Sequence, residues 1–490
     1  MLFPTLSFTA FFALVYPLYW GLLGRRRTRH VLILVASYLF YGAWDWRFVF
    51  LLMLSTLVNW TLARQLHQCA ERWRRPILGV AIALNLTALG LFKYLGFFSE
   101  TVNGVFRTVG LTARAPLYEV VAPVGISFFS FMAISYVFDV YRRRTEPVGL
   151  LDFAVYLAFF PHLVAGPIVR VVEFVPQLAD LQPLSRENAS RAAWLIGQGL
   201  FKKVVISSYV ATTIVDPVFG VPSNYGAVEV LVAIYGYAVQ IYADFSGYTD
   251  MAIGIALLLG IKFPPNFDRP YRATSLQEFW RRWHMTLSRW LRDYLYVALG
   301  GNRHGELATY RNLLLTMALG GLWHGAAATF VVWGLLHGGG LALERWLHGL
   351  RRSDERRGKD SGGGSAATGD AESTRDLQGV LWAGLGWLLT FHLVCLAWVF
   401  FRASTVESAF EILWRAMTAW RVGSAVDPLL VVTIVGAIGL QLLPAGLAAR
   451  LEDRFARLPL SAQAVAMGIF LGLTVILGPA GVAPFIYYQF

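Results

Sequence analysis

Long apolar runs separated by short basic clusters dominate the chain. Windows close to the ~20 residues needed to cross a hydrocarbon core recur along it. They fall at 3–24, 31–44, 48–63, 77–98, 120–141, 192–215, 228–260, 312–347, 377–401, 426–448 and 462–480. The pattern predicts an all-α polytopic membrane protein with about eleven spanning segments. Two of them, 228–260 and 312–347, are expected to be broken, because polar groups or glycines interrupt the run. Basic clusters sit between runs: Arg25, Arg26, Arg27 and Arg29; Arg72, Arg74 and Arg75; Arg142, Arg143 and Arg144; Arg450, Arg454 and Arg457. Such clusters mark cytoplasmic loops, which places the N-terminus outside. The first apolar stretch has neither a basic leader nor a small-residue cleavage site, so it reads as a first membrane helix.

Three stretches depart from this rhythm. Asp152 to Val169, "DFAVYLAFFPHLVAGPIV", is apolar but interrupted by Pro161, His162, Gly166 and Pro167. It predicts a re-entrant segment, tolerated where protein or water satisfies the freed backbone. "DFSGYTD", Asp244 to Asp250, puts two acids between apolar runs. Lys262 to Arg311 is a polar span rich in Arg, Trp and Tyr. From Arg351 to Asp376 the chain is charged and Gly/Ser-rich with no apolar face, and a disordered linker is expected there. The predicted organisation is a membrane core over 1–350, with 262–311 as a helical span on its cytoplasmic side. The linker 351–376 follows, and 377–490 supplies further membrane helices of the same fold. No solenoid-type repeat is visible.

Composition sharpens this picture. Of 490 residues, 56% are hydrophobic and 15% charged, with a mean hydropathy of +0.53. A soluble domain carries about 25% charge. The 17 Trp, 34 Phe and 21 Tyr suit a protein with two membrane interfaces. The net charge of +12 then reads as orientation charge against membrane lipids, not as a nucleic-acid footprint. Two cysteines, Cys69 and Cys395, support neither a disulfide framework nor a zinc site, and no metal is expected.

Candidate chemistry concentrates in two places. In "LQEFWRRWHMTLSRWLRDYLYVALGGNRHG", Trp280, Trp283, Leu287, Trp290 and Tyr294 recur at three- and four-residue steps and predict one helical stripe. Arg281, Arg282, Arg289 and Arg292 fall on the other side, and His284 flanks the aromatics. The pattern fits a snorkelling interfacial helix or a cationic mouth for a polyanionic ligand. In "GGLWHGAAATFVVWGLLHG", His324 is an intramembrane histidine, costly without a partner or a wet cavity. Along a continuous helix, His337 would lie about 20 Å further on, at a membrane face. His162, in the broken segment, is placed to line the same cavity as His324. His30, His67, His304, His348 and His392 read as loop or interface residues. Phosphate-binding loops, H-E-x-x-H, the G-x-S-x-G elbow and the H-x-x-x-x-D acyltransferase pattern are all missing from the sequence. A membrane histidine is therefore the candidate base, since imidazole suits removal of a hydroxyl proton near neutrality.

Six ordered stretches together resemble the membrane-bound O-acyltransferase family, in its bacterial branch of alginate O-acetylation and teichoic acid D-alanylation. They are "PVGISFFSFMAISYVFDVYR" (123–142), "FFPHLVAGPIVR" (159–170), "QIYADFSGYTDMAIGIALLLGIKFPPNFDRPY" (240–271), "EFWRRWHMTLSRWLRDYLYVALGGNR" (278–303), "GLWHGA" (321–326) and "PFIYYQF" (484–490). The resemblance implies His324 as catalytic histidine and His284 as its second histidine, at a tunnel joining a cytoplasmic cavity to an outer funnel. Arg281, Arg282, Trp283, Arg289 and Arg292 would meet the donor. Trp323, His162, Asp244, Tyr248 and Asn266 are candidates for lining the tunnel. It further implies a bacterial inner-membrane enzyme with no permanently bound cofactor and acetyl-CoA as acyl-donor substrate. The partner would be a periplasmic SGNH-type acetyltransferase or similar protein, and the acceptor a polysaccharide, reached directly or through it. Two other classes fit the residues alone: a transporter using the histidines with Asp244 or Asp250 as a proton relay, and a scaffold that docks a secreted enzyme.

Overall fold

The computed structural model describes residues 3–112, 114–116, 121–360, 369–421, 423, 425–479 and 485–486; for 351–360, 369–378 and 445 it describes the backbone alone. Among the described residues all regular structure is helical, with no strand. Helix occupies each of the eleven apolar windows. Among the described residues, however, five helices and not the expected eleven are long and apolar enough to cross a membrane: Arg47–Gln68, Glu71–Thr108, Ala227–Leu258, Gly379–Arg402 and Leu460–Leu477. Pro428–Leu442 and Gly446–Arg457, bent by 93°, make a sixth if they act as one span. Leu6–Gly21 and Ile126–Tyr141 are shorter apolar helices. Leu460–Leu477 leaves Val475 and Ile476 more than three-quarters exposed, a surface that only lipid or protein could cover at acceptable cost.

The chain forms two compact units, each drawing segments from both sides of the 351–376 stretch. The first comprises Met1–Ser208, Tyr242–Pro265 and Ala445–Phe490. Its almost wholly buried helix Ile126–Tyr141 packs against Arg47–Gln68 and Glu71–Leu89. That helix starts later than the expected 120, because Gly125 adopts a left-handed φ of 78°. A Cβ there would run into the Leu163 carbonyl, so glycine is required both for the turn and for the close approach. The Pro/Gly-broken segment folds as two short helices, Leu150–Ala158 and Phe160–Leu163, followed by a turn.

Several basic groups read as loop charge are instead buried helix caps. Arg29 donates to the carbonyls of Leu23 and Leu178. Arg74 donates to those of Leu66, Val140 and Tyr141. These are carbonyls near helix ends, which have no intrahelical donor. His30, expected at an interface, is also buried; its Nδ1 meets Asp152 Oδ1 at 2.8 Å and its Nε2 the Leu178 carbonyl at 3.3 Å. His30 joins the start of Arg26–Asp45 to that of Leu150–Ala158, and Arg74 joins the start of Glu71–Leu89 to the ends of Arg47–Gln68 and Ile126–Tyr141. The basic clusters at 72–75 and 142–144 therefore share one side of this unit, as one membrane face requires.

The helix Ala227–Leu258, expected to break at "DFSGYTD", is continuous. It contains no proline, and lysines on another segment neutralise its acids. A π-helical turn at Lys202–Ser207 presents two neighbouring lysines. Lys203 pairs with Asp244, and Lys202 Nζ lies 2.7 Å from Asp250 Oδ2.

The second unit comprises Tyr209–Ile241 and Asn266–Pro444. Its centre is an antiparallel helical hairpin, Glu306–His324 and Ala328–Asp360, broken at Gly325 as the sequence suggested. A Cβ on Gly321 would strike the Phe330 carbonyl, one on Gly334 the Met317 carbonyl, and one on Gly338 would sit 3.0 Å from Leu314 Cα. Glycine at these positions brings the two backbones together. The second arm runs on to Asp360 and the next helix begins at Gly369, so helix replaces disorder over 351–360 and 369–376. Once apolar turns have nucleated a helix, Arg, Glu and Lys propagate it at little cost. Residues 361–368 lie outside the described residues.

Candidate functional site

The expected single stripe over 276–296 is interrupted where it matters most. Ser275 caps Leu276–Arg282 by accepting from Glu278 N at 3.1 Å. That helix stops at Trp283, and His284 adopts a left-handed conformation, φ 43° and ψ 53°. A new helix, Met285–Trp290, follows, then a π-helical turn at Leu291–Tyr296. A non-glycine residue in the left-handed region costs about 1–2 kcal/mol, so other contacts must hold it. Asn266 supplies them. Its Oδ1 accepts from His284 Nδ1 at 3.1 Å, Thr286 N at 3.2 Å and Thr286 Oγ1 at 2.9 Å, and its carbonyl accepts from Met285 N at 2.9 Å. With Nδ1–H donating, Nε2 carries the lone pair. Full burial pushes the imidazole down to about 3, so His284 is neutral at pH 7.

His324 ends its helix and is 3% exposed. Its ring lies 4.9 Å from Trp323, 5.1 Å from Trp333 and 5.2 Å from Phe401, centroid to centroid. Trp323 in turn lies 6.2 Å from His284. The two histidines thus flank one indole inside a wall of aromatics. Trp283 stacks at 5.7 Å on Phe279 and sits 5.0 Å from Trp398, as part of that wall. The stripe of Trp280, Trp283, Leu287, Trp290 and Tyr294 is buried throughout.

The arginines divide. Arg282 is committed to Asp268 at 2.7 Å and Glu278 at 2.9 Å, and Arg292 to Asp293 at 2.8 Å. Arg281 is exposed and Arg289 partly buried. The structure therefore brings His324, His284, Trp323, Trp283 and Asn266 into one unit with these arginines.

His162, Asp244 and Tyr248 belong to the first unit. His162 is buried, donates from Nε2 to the Tyr156 carbonyl at 2.8 Å and stacks on Phe263 at 5.3 Å. Asp244 pairs with Lys203 and accepts from Ile486 N at 2.8 Å. Tyr248 packs between Phe3 and Phe485, each 4.7 Å away. These contacts anchor terminal residues onto the helix Ala227–Leu258.

One residue moves most from expectation. His337, expected at a membrane face, is buried; the hairpin turns the chain back at 325–327, so the distance along one straight helix no longer applies. Its place beside Trp333 was legible in their i, i+4 spacing. Asn266, expected to line a tunnel, holds the His284 turn. Asn266→Ala is expected to release the His284 turn, lowering acyl transfer by about 10- to 100-fold through misplacement, measured in membranes at matched protein levels.

Fold and site define a polytopic, all-helical membrane protein with two buried histidines around a tryptophan. The profile of MBOAT, the membrane-bound O-acyltransferase family, matches residues 77–356. A protein of Pseudomonas aeruginosa named "Probable alginate O-acetylase AlgI" is 38% identical over 424 residues, 84% of this chain and 74% of its own. The peptidoglycan O-acetyltransferase of Helicobacter pylori is 37% identical over 409 residues, 78% and 72% of the two chains. The teichoic acid D-alanyltransferase of Streptococcus thermophilus is 26% identical over 296 residues, 57% and 68%. The chain belongs to the membrane-bound O-acyltransferase family, and it is a multi-pass membrane acyltransferase.

Proposed function

We propose that the protein takes an acetyl group from acetyl-CoA on the cytoplasmic side of the bacterial inner membrane and delivers it for O-acetylation of a cell-surface or exported polysaccharide such as alginate. The observation that carries this reading is the pair His324 and His284 flanking Trp323 in a buried aromatic wall. His324 removes the acceptor hydroxyl proton as the oxygen adds to the thioester carbonyl carbon. The C–S bond then breaks, sulfur leaves as thiolate, and the proton passes from His324 to it. His284, neutral and fixed by Asn266, presents its Nε2 lone pair and positions the donor. Arg281 and Arg289 would meet the donor's phosphates, while Arg282 and Arg292 face carboxylates. No permanently bound cofactor is required. A periplasmic SGNH-type acetyltransferase would supply that acceptor hydroxyl and hand the group on to the polysaccharide, and the N-terminus would lie on that side.

The names and identities of the relatives support acetyl transfer. The transporter reading is disfavoured by the lysine bound to each of Asp244 and Asp250, the acids a proton relay would have to load and unload. Membranes from an expressing strain, given radiolabelled acetyl-CoA, are expected to place base-labile label in polysaccharide. Membranes from a deletion strain should place none. Equal labelling would overturn the proposal.

A further inference from the structure

Beside His324 lies a cluster of N–H groups that the chemistry above does not use. Trp280 Nε1–H donates to His337 Nδ1 at 3.3 Å. That bond fixes the neutral tautomer of His337 with its proton on Nε2. Among the described residues Nε2 has no hydrogen-bond partner, and His337 is 1% exposed. Trp333 lies 4.8 Å from His337 and 5.1 Å from His324, so it touches both rings. The indole N–H groups of Trp333 and Trp398 are likewise buried with no partner among the described residues. Trp398 is 5.9 Å from Trp333 and 6.4 Å from His337. One aromatic cluster therefore holds three N–H donors without an acceptor, next to the histidine assigned to acyl transfer. Leaving such donors buried and unmatched is costly, and the ligand they suit is an acceptor-only oxygen.

We infer that His337 is a donor-binding residue whose Nε2–H holds the carbonyl oxygen of the acyl thioester, with Trp280 setting its tautomer. The inference rests on the acyl-CoA reading above. The carbonyl oxygen gains negative charge when the acceptor hydroxyl adds and returns it when the C–S bond breaks. A donor fixed on that oxygen serves both binding and the addition step. Trp280 is a positioning residue, because it acts only through His337.

The test compares acetyl-CoA with S-ethyl-CoA, a thioether of the same length lacking the carbonyl oxygen. Binding to the full-length protein in nanodiscs is measured for wild type, His337→Leu, His337→Gln and Trp280→Phe. Wild type is expected to prefer acetyl-CoA by roughly tenfold, the worth of one buried hydrogen bond. His337→Gln places an amide N–H near the old Nε2 and should retain most of that preference. His337→Leu should lose it. Trp280→Phe frees the imidazole to change tautomer and should lose part of it; this variant gives the answer if His337→Leu does not fold. An equal preference in wild type, His337→Leu and Trp280→Phe overturns the inference and leaves the acyl-CoA reading standing. Failure of wild type to bind either compound overturns both.

Discussion

A strain carrying His324→Ala in place of the wild-type protein is expected to export polysaccharide stripped of O-acetyl esters. General acid–base catalysis contributes about 10²–10⁴ in rate, so ester content should fall by at least about 100-fold. The substitution removes a ring packed against Trp323, Trp333 and Phe401, and membrane levels must be matched before ester content is compared. The wild-type chain restores acetylation in the same background. A scaffold that only docks another enzyme would keep acetylating with alanine at 324. Equal ester content in the two strains would make His324 structural.

The second large effect concerns stability. Lys203→Met leaves Asp244 in a site where both side chains are nearly inaccessible. Its remaining partners are Ser207 Oγ at 3.4 Å and the Ile486 N–H. Removing one member of a buried ion pair costs about 3–5 kcal/mol. The melting temperature in detergent should drop steeply. The double variant Lys203→Met/Asp244→Leu should recover most of the loss, because it removes both charges and keeps apolar bulk. Lys202→Met should be milder, since Lys202 and Asp250 are both partly exposed and Gln198 also contacts Asp250 at 3.1 Å. Undiminished stability in Lys203→Met would contradict the paired-charge account of the helix Ala227–Leu258.

Much of this architecture was readable from local pattern. Apolar length predicted the helices, and glycine around 320–325 predicted the break that makes the hairpin. The cost expected of an imidazole in an apolar run singled out His324 as a candidate, and the structure buries it. What stayed hidden depends on groups distant in the chain. The acids of "DFSGYTD" look like a break until Lys202 and Lys203 are seen to neutralise them. Arg29 and Arg74 look like loop charge until the carbonyls of Leu178, Val140 and Tyr141 arrive beside them. The left-handed turn at His284 has no local sign, because Asn266, eighteen residues earlier, holds it. His337 was misplaced for the opposite reason. Its local geometry was right, but the break at 325–327 folds its helix back beside the one ending in His324.

The most direct measurement is thiol release from acetyl-CoA by the full-length protein in nanodiscs with the exported polysaccharide and the periplasmic acetyltransferase present, for wild type and His324→Ala side by side. Transfer through His324 predicts thiol release by wild type and background release by the variant. Equal rates in both would contradict it.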